Sequence, residues 1–479
     1  MTRFSKITIL TICTSLTPLA PVMADADTTA VMEELFATFW SSAGEANVGS
    51  KDDAGRSTRW NDVTFESPED GPKFVLPWVE VSKKLLGGYA VTMADEIAIA
   101  GDLPDGKKMD GVFTTQGLSM EIGGKAGARS YDMAFDQVKA TMNAGDLFEM
   151  TLQMNDGNSQ SILANDIMTG TFEYPKFDLE YELNIEGQDM SVKMSMADIA
   201  GNYRAPVIGG RDVESYQKFW SGDELFFTDY AISGMEMQTN AVSPAGPVSV
   251  GFTGGAGKGR VAADKGVVSI SGDSKDLKYI VSAMGMPPMS VSIDSVSQFI
   301  AVPLDNVEQT KTASIQMALM GLELDPAIWG MFDAKGLLPR DKANLEIDLS
   351  ADVKWSQKIA DIDVTQMATG LPVEFSDVKI TALNLNALGA EVKTDGSFNV
   401  DSSSFPPAAS GTANVSVKGV DALMGKLTEA GLLPVQNAMM AKGMMSVFFK
   451  QGGEGIDHLT SQIMISPDGS ISANGVPLK

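Results

Sequence analysis

Hydrophobic and polar positions alternate with a period of two along much of this chain. The clearest run is Leu345, Ile347, Leu349, Ala351, Val353 and Trp355, separated by Glu346, Asp348, Ser350, Asp352 and Lys354. It predicts a strand with one dry face and one wet, acidic face. Just upstream the period changes to that of a helix. Asp325 suits an N-cap, Pro326 the first helical position, and Ile328, Trp329 and Phe332 one helical face. Gly336 then suits the left-handed position that ends such a turn. A short capped helix feeding a long amphipathic strand is the unit around which the chain is organised.

The unit recurs. Residues 327–339 align without gaps to residues 422–434, both keeping an alanine, an internal glycine and a Gly-Leu-Leu-Pro exit, which reads as an internal duplication. Elsewhere, Val31, Leu35 and Phe39, flanked by Met32, Phe36 and Trp40, predict a first helix over 28–45. Strands follow from about Trp60: 112–122, 131–142, then Phe177 to Ile185 alternating with acidic residues, and Met190, Val192, Met194 and Met196 on one parity. Residues 204–226 interrupt the rhythm with Pro206, Gly209 and Gly210 and a short helix around 213–220. Strands resume over 229–293 and 312–322, and a weaker break falls at 402–411. Residues 436–449 read as a methionine-bearing helix, and a Pro-Asp-Gly turn closes a final hairpin over 459–478. The expected fold is mainly β: large antiparallel, curved sheets with a few short helices packed on them. The expected domains are residues 1–24 as an export signal, 25–205 as a helix plus β-rich unit, 206–228 as a linker, and 229–479 as a β-rich unit holding both repeats.

The pattern of Asp325-Pro-Ala-x-Trp329, Phe332-Asp333, Leu338-Pro-Arg-Asp341 and Leu345-Glu-Ile-Asp-Leu-Ser350 resembles an alphaproteobacterial periplasmic family, domain-of-unknown-function family 2125. Lys342 stands where that pattern expects proline. The ending Asn474-Gly-Val-Pro-Leu478 is similar to that of another uncharacterised envelope family. The resemblance implies a periplasmic location and a β-rich fold; it implies no activity, cofactor or site residue.

Composition sharpens this picture mostly by exclusion. Arg3 and Lys6, the apolar residues 7–20 and Val22-Met23-Ala24 read as a cleavable signal ending before Asp25. Ile12 precedes Cys13 where a lipoprotein needs a small residue, so lipid anchoring is not expected. No later stretch reaches the length needed to span a bilayer. Cys13 is the only cysteine and His458 the only histidine. Disulfides, zinc sites of histidine and cysteine, and serine or cysteine triads are therefore not expected, unless His458 alone is a base. A net charge of −26 opposes nucleic acid and anionic headgroups, and equally serves solubility on wet strand faces.

Other candidates carry plainer readings. The run Gly251 to Arg260 has Phe252 where a phosphate loop needs its first glycine and Gly259 where it needs Ser or Thr, so it reads as a flexible hairpin connection. Met284, Met286 and Met289 resemble a copper(I) cluster, but methionine as apolar filler is the better account, since Met190, Met194 and Met196 share one strand face with Val192. No calcium-loop spacing occurs among the 62 carboxylates. No catalytic, cofactor or metal residue is assigned, and no enzyme activity is expected. The first functional reading is a periplasmic protein that binds or carries a lipid or other apolar envelope component in a methionine-rich trough. The occupant of that trough is an acyl chain or a segment of an envelope protein; the alternative is an envelope scaffold with no small ligand, and the third is a carboxylate-based hydrolase of envelope polymers. An open apolar trough favours the first, a closed sandwich the second, and convergent carboxylates in a polar cleft the third.

Overall fold

The computed structural model describes residues 27–40, 45–66, 72–102, 108–185, 188–207, 224–243, 246–283, 285–304, 307, 309–357, 373–401, 408–453, 455 and 457–478. The short helix around 213–220 and the Met284 position lie outside these. The described residues are mainly strand, paired antiparallel throughout the named ladders, with four short α-helices. Two compact units divide the chain: one runs through Phe219 and includes Phe226–Ile232, and the other runs from Ser233 and includes Trp220–Leu225.

The first unit opens with α1 (Thr28–Leu35), capped by the Asp27 carboxylate, which accepts from the Ala30 N–H at 2.9 Å. Thr28, Val31, Met32 and Leu35 are buried at helical spacing, and a π-helical turn, Phe36–Trp40, follows. The helix is thus shorter than its apolar pattern predicts, because Glu45 already begins a strand. The strands are β1 (Glu45–Asp53), β2 (Ser57–Glu66), β3 (Lys73–Lys83), β4 (Tyr89–Met93), β5 (Glu96–Asp102), β6 (Lys108–Gln116), β7 (Ser119–Lys125), β8 (Ala128–Asn143), β9 (Phe148–Ala164), β10 (Ile167–Ile185), β11 (Gln188–Pro206) and β12 (Phe226–Ile232). α1 covers β2 and β3, and Phe36 meets Trp40, Trp60 and Phe65 at ring distances of 4.5, 4.4 and 5.6 Å. Val63, Val79 and Val81 are fully buried beneath them. Arg129, itself buried, pairs with Glu34 at 3.1 Å and pins the helix to β8.

The second unit contains β13 (Gly234–Ser243), β14 (Gly246–Gly254), β15 (Gly257–Asp264), β16 (Val267–Ala283), β17 (Met289–Pro303), β18 (Lys311–Leu324), α2 (Pro326–Phe332), β19 (Ala343–Trp355), β20 (Val373–Ala387), β21 (Ala390–Asp401), β22 (Ala408–Lys418), α3 (Val420–Glu429), α4 (Val435–Phe448), β23 (Lys450–Gln451), β24 (His458–Ile465), β25 (Ile471–Ala473) and β26 (Val476–Pro477). From β16 to β22 the strands pair in sequence order, and β24 then pairs with β22. Both helical insertions, α2 and the α3–α4 pair, leave the same end of this meander, since β18 and β22 run in the same direction.

A crease crosses each unit. In the first, the registers place Gly49, Asp62 and Pro77 on one level, and Gly117, Asp136, Asp156, Pro175 and Asp198 on another, and the ladders skip these residues. In the second, Gly255, Asp276, Asp294 and Gly321 share a level in the same way. Asp62, Asp156, Asp198 and Asp276 are left-handed, with φ of 52°, 52°, 49° and 53°, a conformation aspartate tolerates better than most residues. Proline lacks the N–H that a ladder rung would use, so Pro77 and Pro175 cost nothing there. Across a crease the buried parity changes by one: Thr58 and Trp60 before Asp62, Val63 and Phe65 after it; Tyr131 and Phe135 before Asp136, Val138 and Met142 after it. Alternation therefore breaks in the sequence so that one face of the sheet stays apolar in space. The same device explains two departures from the sequence reading. The stretch 112–122 is two strands meeting at Gly117 (φ 64°), both paired in one register with β8. Gly251 to Arg260 is not a flexible connection: it is strand on both sides of Gly255, held in one register by β16.

Candidate functional site

The dry face of the second unit is the feature that its alternating strands build. One row of residues crosses six strands from β15 to β20 as Val261, Ile270, Ile300, Ile315, Leu349 and Ile380. A second crosses β17 to β24 as Val296, Leu319, Leu345, Leu385, Val392, Val417 and Leu459. Between them lie Met317, Ile347 and Leu383. The ionisable residues of β19, β21 and β22 all have the opposite parity: Glu346, Asp348, Asp352, Lys354, Glu391, Lys393, Asp395, Asp401 and Lys418. The sheet is thus divided into a charged side and a side without charge along these three strands.

Apolar residues in the middle of a sheet are ordinarily covered by a second layer. Here the central ones stand open, while Val417 towards the helical end is buried. Ile315 is 43% exposed, Met317 44%, Leu383 41% and Leu385 46%, whereas the valines under α1 in the first unit are at zero or 1% or below. Both clusters of fully buried apolar side chains belong to the first unit. At about 4.8 Å between strands the two rows together span roughly 40 Å across the sheet, and at about 3.4 Å per residue they lie about 14 Å apart along it.

The helices finish one end of this face. The Asp325 carboxylate accepts from the N–H groups of Ala327 and Ile328 at 2.8 and 3.2 Å, and also from that of Ser290 in β17, so one side chain caps α2 and ties it to the sheet. Asp333, buried at the other end of α2, accepts from Leu337 and Leu338 at 2.9 and 3.0 Å. Burial pushes its pKa up, but those two N–H groups, Arg340 and the Gly336 N–H outweigh it and hold the carboxyl below its ordinary value. Asp325 is lowered similarly: burial raises it, and the N–H groups of Ser290, Ile328 and Ala327 prevail. Trp329 and Leu338 are buried, and the Arg340 guanidinium lies 5.4 Å from the Trp329 ring. In the second copy Asp457 supplies the cap, accepting from Asp421 and Ala422 at 3.1 and 3.0 Å. Gly336 and Gly431 are left-handed in both copies, at 65° and 78°. At the opposite end Trp355 is buried, and its Nε1 donates to the Pro303 carbonyl at 2.6 Å.

The other sequence candidates fall in different places. His458 Nε2 lies 3.0 Å from Ser416 Oγ, but no described group accepts from or donates to its buried Nδ1. A Cβ on Gly452 would sit 2.8 Å from that nitrogen, so the backbone occupies the place a triad carboxylate would take. Met190, Met194 and Met196 are half-buried on one face with buried Val192, as core filler requires; Met286 is exposed and Met289 half-buried. Asp294, level with Asp276, is held by Lys342 at 2.6 and 2.9 Å. Among the described residues no group of three or more His, Cys, Asp or Glu residues is placed to hold a metal ion, and no helix is long and apolar enough to cross a membrane. Sequence reasoning found the face through its period-two pattern. It missed the exposed methionines of α4 as a surface, because helical spacing alone does not say which side is covered.

Residues 245–478 match a family described as an uncharacterized protein conserved in bacteria, DUF2125. No curated protein and no solved structure matches.

Proposed function

From the premise that this chain belongs, through residues 245–478, to the DUF2125 family of uncharacterized bacterial proteins, we propose that it is a non-enzymatic, exported envelope protein that binds a lipid acyl chain on the open face of its second unit. One observation carries the reading: rows of Ile, Leu, Val and Met continue across six and seven strands, and Ile270, Ile315, Met317, Leu383 and Leu385 among them are 41–46% exposed. An exposed apolar surface of this extent calls for an occupant. An acyl chain fits it better than a polar polymer, because β19, β21 and β22 direct no charged group to that side. Each methylene removed from water contributes about 0.8 kcal/mol, so a chain of ordinary length has enough contact to stay bound through purification. Met317, unbranched and polarisable, adapts to more than one chain shape.

Organic extraction of the purified protein followed by mass spectrometry should yield near-stoichiometric lipid, and a fluorescent fatty acid should displace it. Met317→Lys with Leu383→Lys, both at exposed positions, should weaken that probe about tenfold or more while leaving the melting temperature nearly unchanged. A clean extract together with no probe binding would leave the scaffold reading in its place.

A further inference from the structure

A second apolar surface lies beside the first, and it belongs to a helix. α4 buries only Ala438 fully, while Val435, Met439, Met440, Met444 and Val447 are 52–63% exposed. A helix with apolar residues around most of its circumference ordinarily lies inside a protein or against lipid. Its charge is as unusual as its exposure. The chain carries 62 carboxylates, yet none falls between Glu429 and Glu454, where the only ionisable residues are Lys442 and Lys450. Lys442 is paired with Asp421 of α3 at 2.7 Å, which holds the two helices together; Lys450 is exposed.

The helix is also joined to the dry face. The carbonyl of Phe448, its last residue, accepts from Ser461 Oγ at 2.7 Å and from Asn474 Nδ2 at 2.8 Å. Ser461 is buried and pairs with Val415, on the parity of Val417 and Leu459 in the long apolar row. The C-terminal end of α4 is therefore fixed to the edge of the dry face, and its exposed methionines lie on the turns that precede it.

We propose that α4 docks this protein on a bilayer containing anionic phospholipid, its methionines entering the interface. Elsewhere the strongly acidic surface opposes such a membrane; residues 430–453 contribute no carboxylate, the neighbouring Asp421 is neutralised by Lys442, and Lys450 adds attraction. This goes beyond the acyl-chain reading, since docking by α4 does not require the sheet to hold a ligand. It would also place the end of the open face next to the lipid source.

The test is flotation of the full chain with phosphatidylcholine vesicles and with vesicles containing phosphatidylglycerol. Wild type is compared with the double variant Met440→Glu/Met444→Glu, so that the apolar residues 7–20 contribute equally to both. Wild-type binding should be stronger on the anionic vesicles, and the double variant should lose it by about tenfold or more with an unchanged melting curve. Lys450→Glu should reduce the anionic preference. In a Cys13→Ser/Met444→Cys chain labelled with an environment-sensitive dye, emission should shift to the blue on vesicle addition. Fatty-acid probe binding by the Met440→Glu/Met444→Glu variant should be unchanged, which separates this proposal from the acyl-chain reading. No wild-type vesicle binding, or binding that the glutamates leave intact, would overturn it.

Discussion

Asp276 is a charged residue in the interior of a strand, where aspartate is ordinarily depleted. Its φ of 53° accounts for it: the crease needs a left-handed residue, and aspartate adopts that conformation at lower cost than a branched one. Asp276→Gly should therefore leave the urea midpoint close to wild type, whereas Asp276→Val should destabilise by roughly 1–2 kcal/mol or more; equal effects would show that the side chain, not the backbone, matters there. Asp333 acts through charge instead. Its pKa and that of Asp325 are lowered in the folded chain, so their contribution to stability is complete above the unfolded carboxylate value of about 3.9 and is lost as pH falls through the lower folded values. Melting temperature measured against pH should fall below about pH 4, and Asp333→Asn should make that fall shallower by removing one of the groups responsible.

At the scale of elements, α2 shows what local chemistry specifies. Asp325, Pro326 and Gly336 sit where their conformational preferences put them, and Trp329 is the buried anchor. Trp329→Ala should destabilise by about 3–5 kcal/mol in chemical denaturation, against about 0.5 kcal/mol for a surface site. α2 and the strand over 345–355 were legible because capping and alternation are properties of near neighbours. The two copies of Gly-Leu-Leu-Pro were legible as a repeat, and so were their different sequels, β19 in one and α4 in the other. The creases were not legible. The alternation that starts at Phe177 gives only the second half of β10, and the register with neighbouring strands shows that the strand begins at Ile167 and continues through Pro175. Long strands such as β11 were therefore read as shorter pieces.

At the scale of the whole molecule, the sequence shows that Leu345, Ile347 and Leu349 share a face, but not what lies over them, because covering is decided by residues far away in the chain. The first unit brings α1 over its valines, while the second brings its helices to one end of the meander. The same alternation thus yields a dry core in one place and an open face in the other. The creases carry a consequence of a different kind, for the gene. A strand that lost a single codon at its left-handed aspartate would regain uninterrupted alternation, yet beyond that point it would be out of step with both neighbours. Losing the codon from every strand at once would restore agreement, but no single event does so. The register of these strands is therefore locked in phase across the sheet, and insertions or deletions should be tolerated only in the connections, where a change of length leaves every register intact.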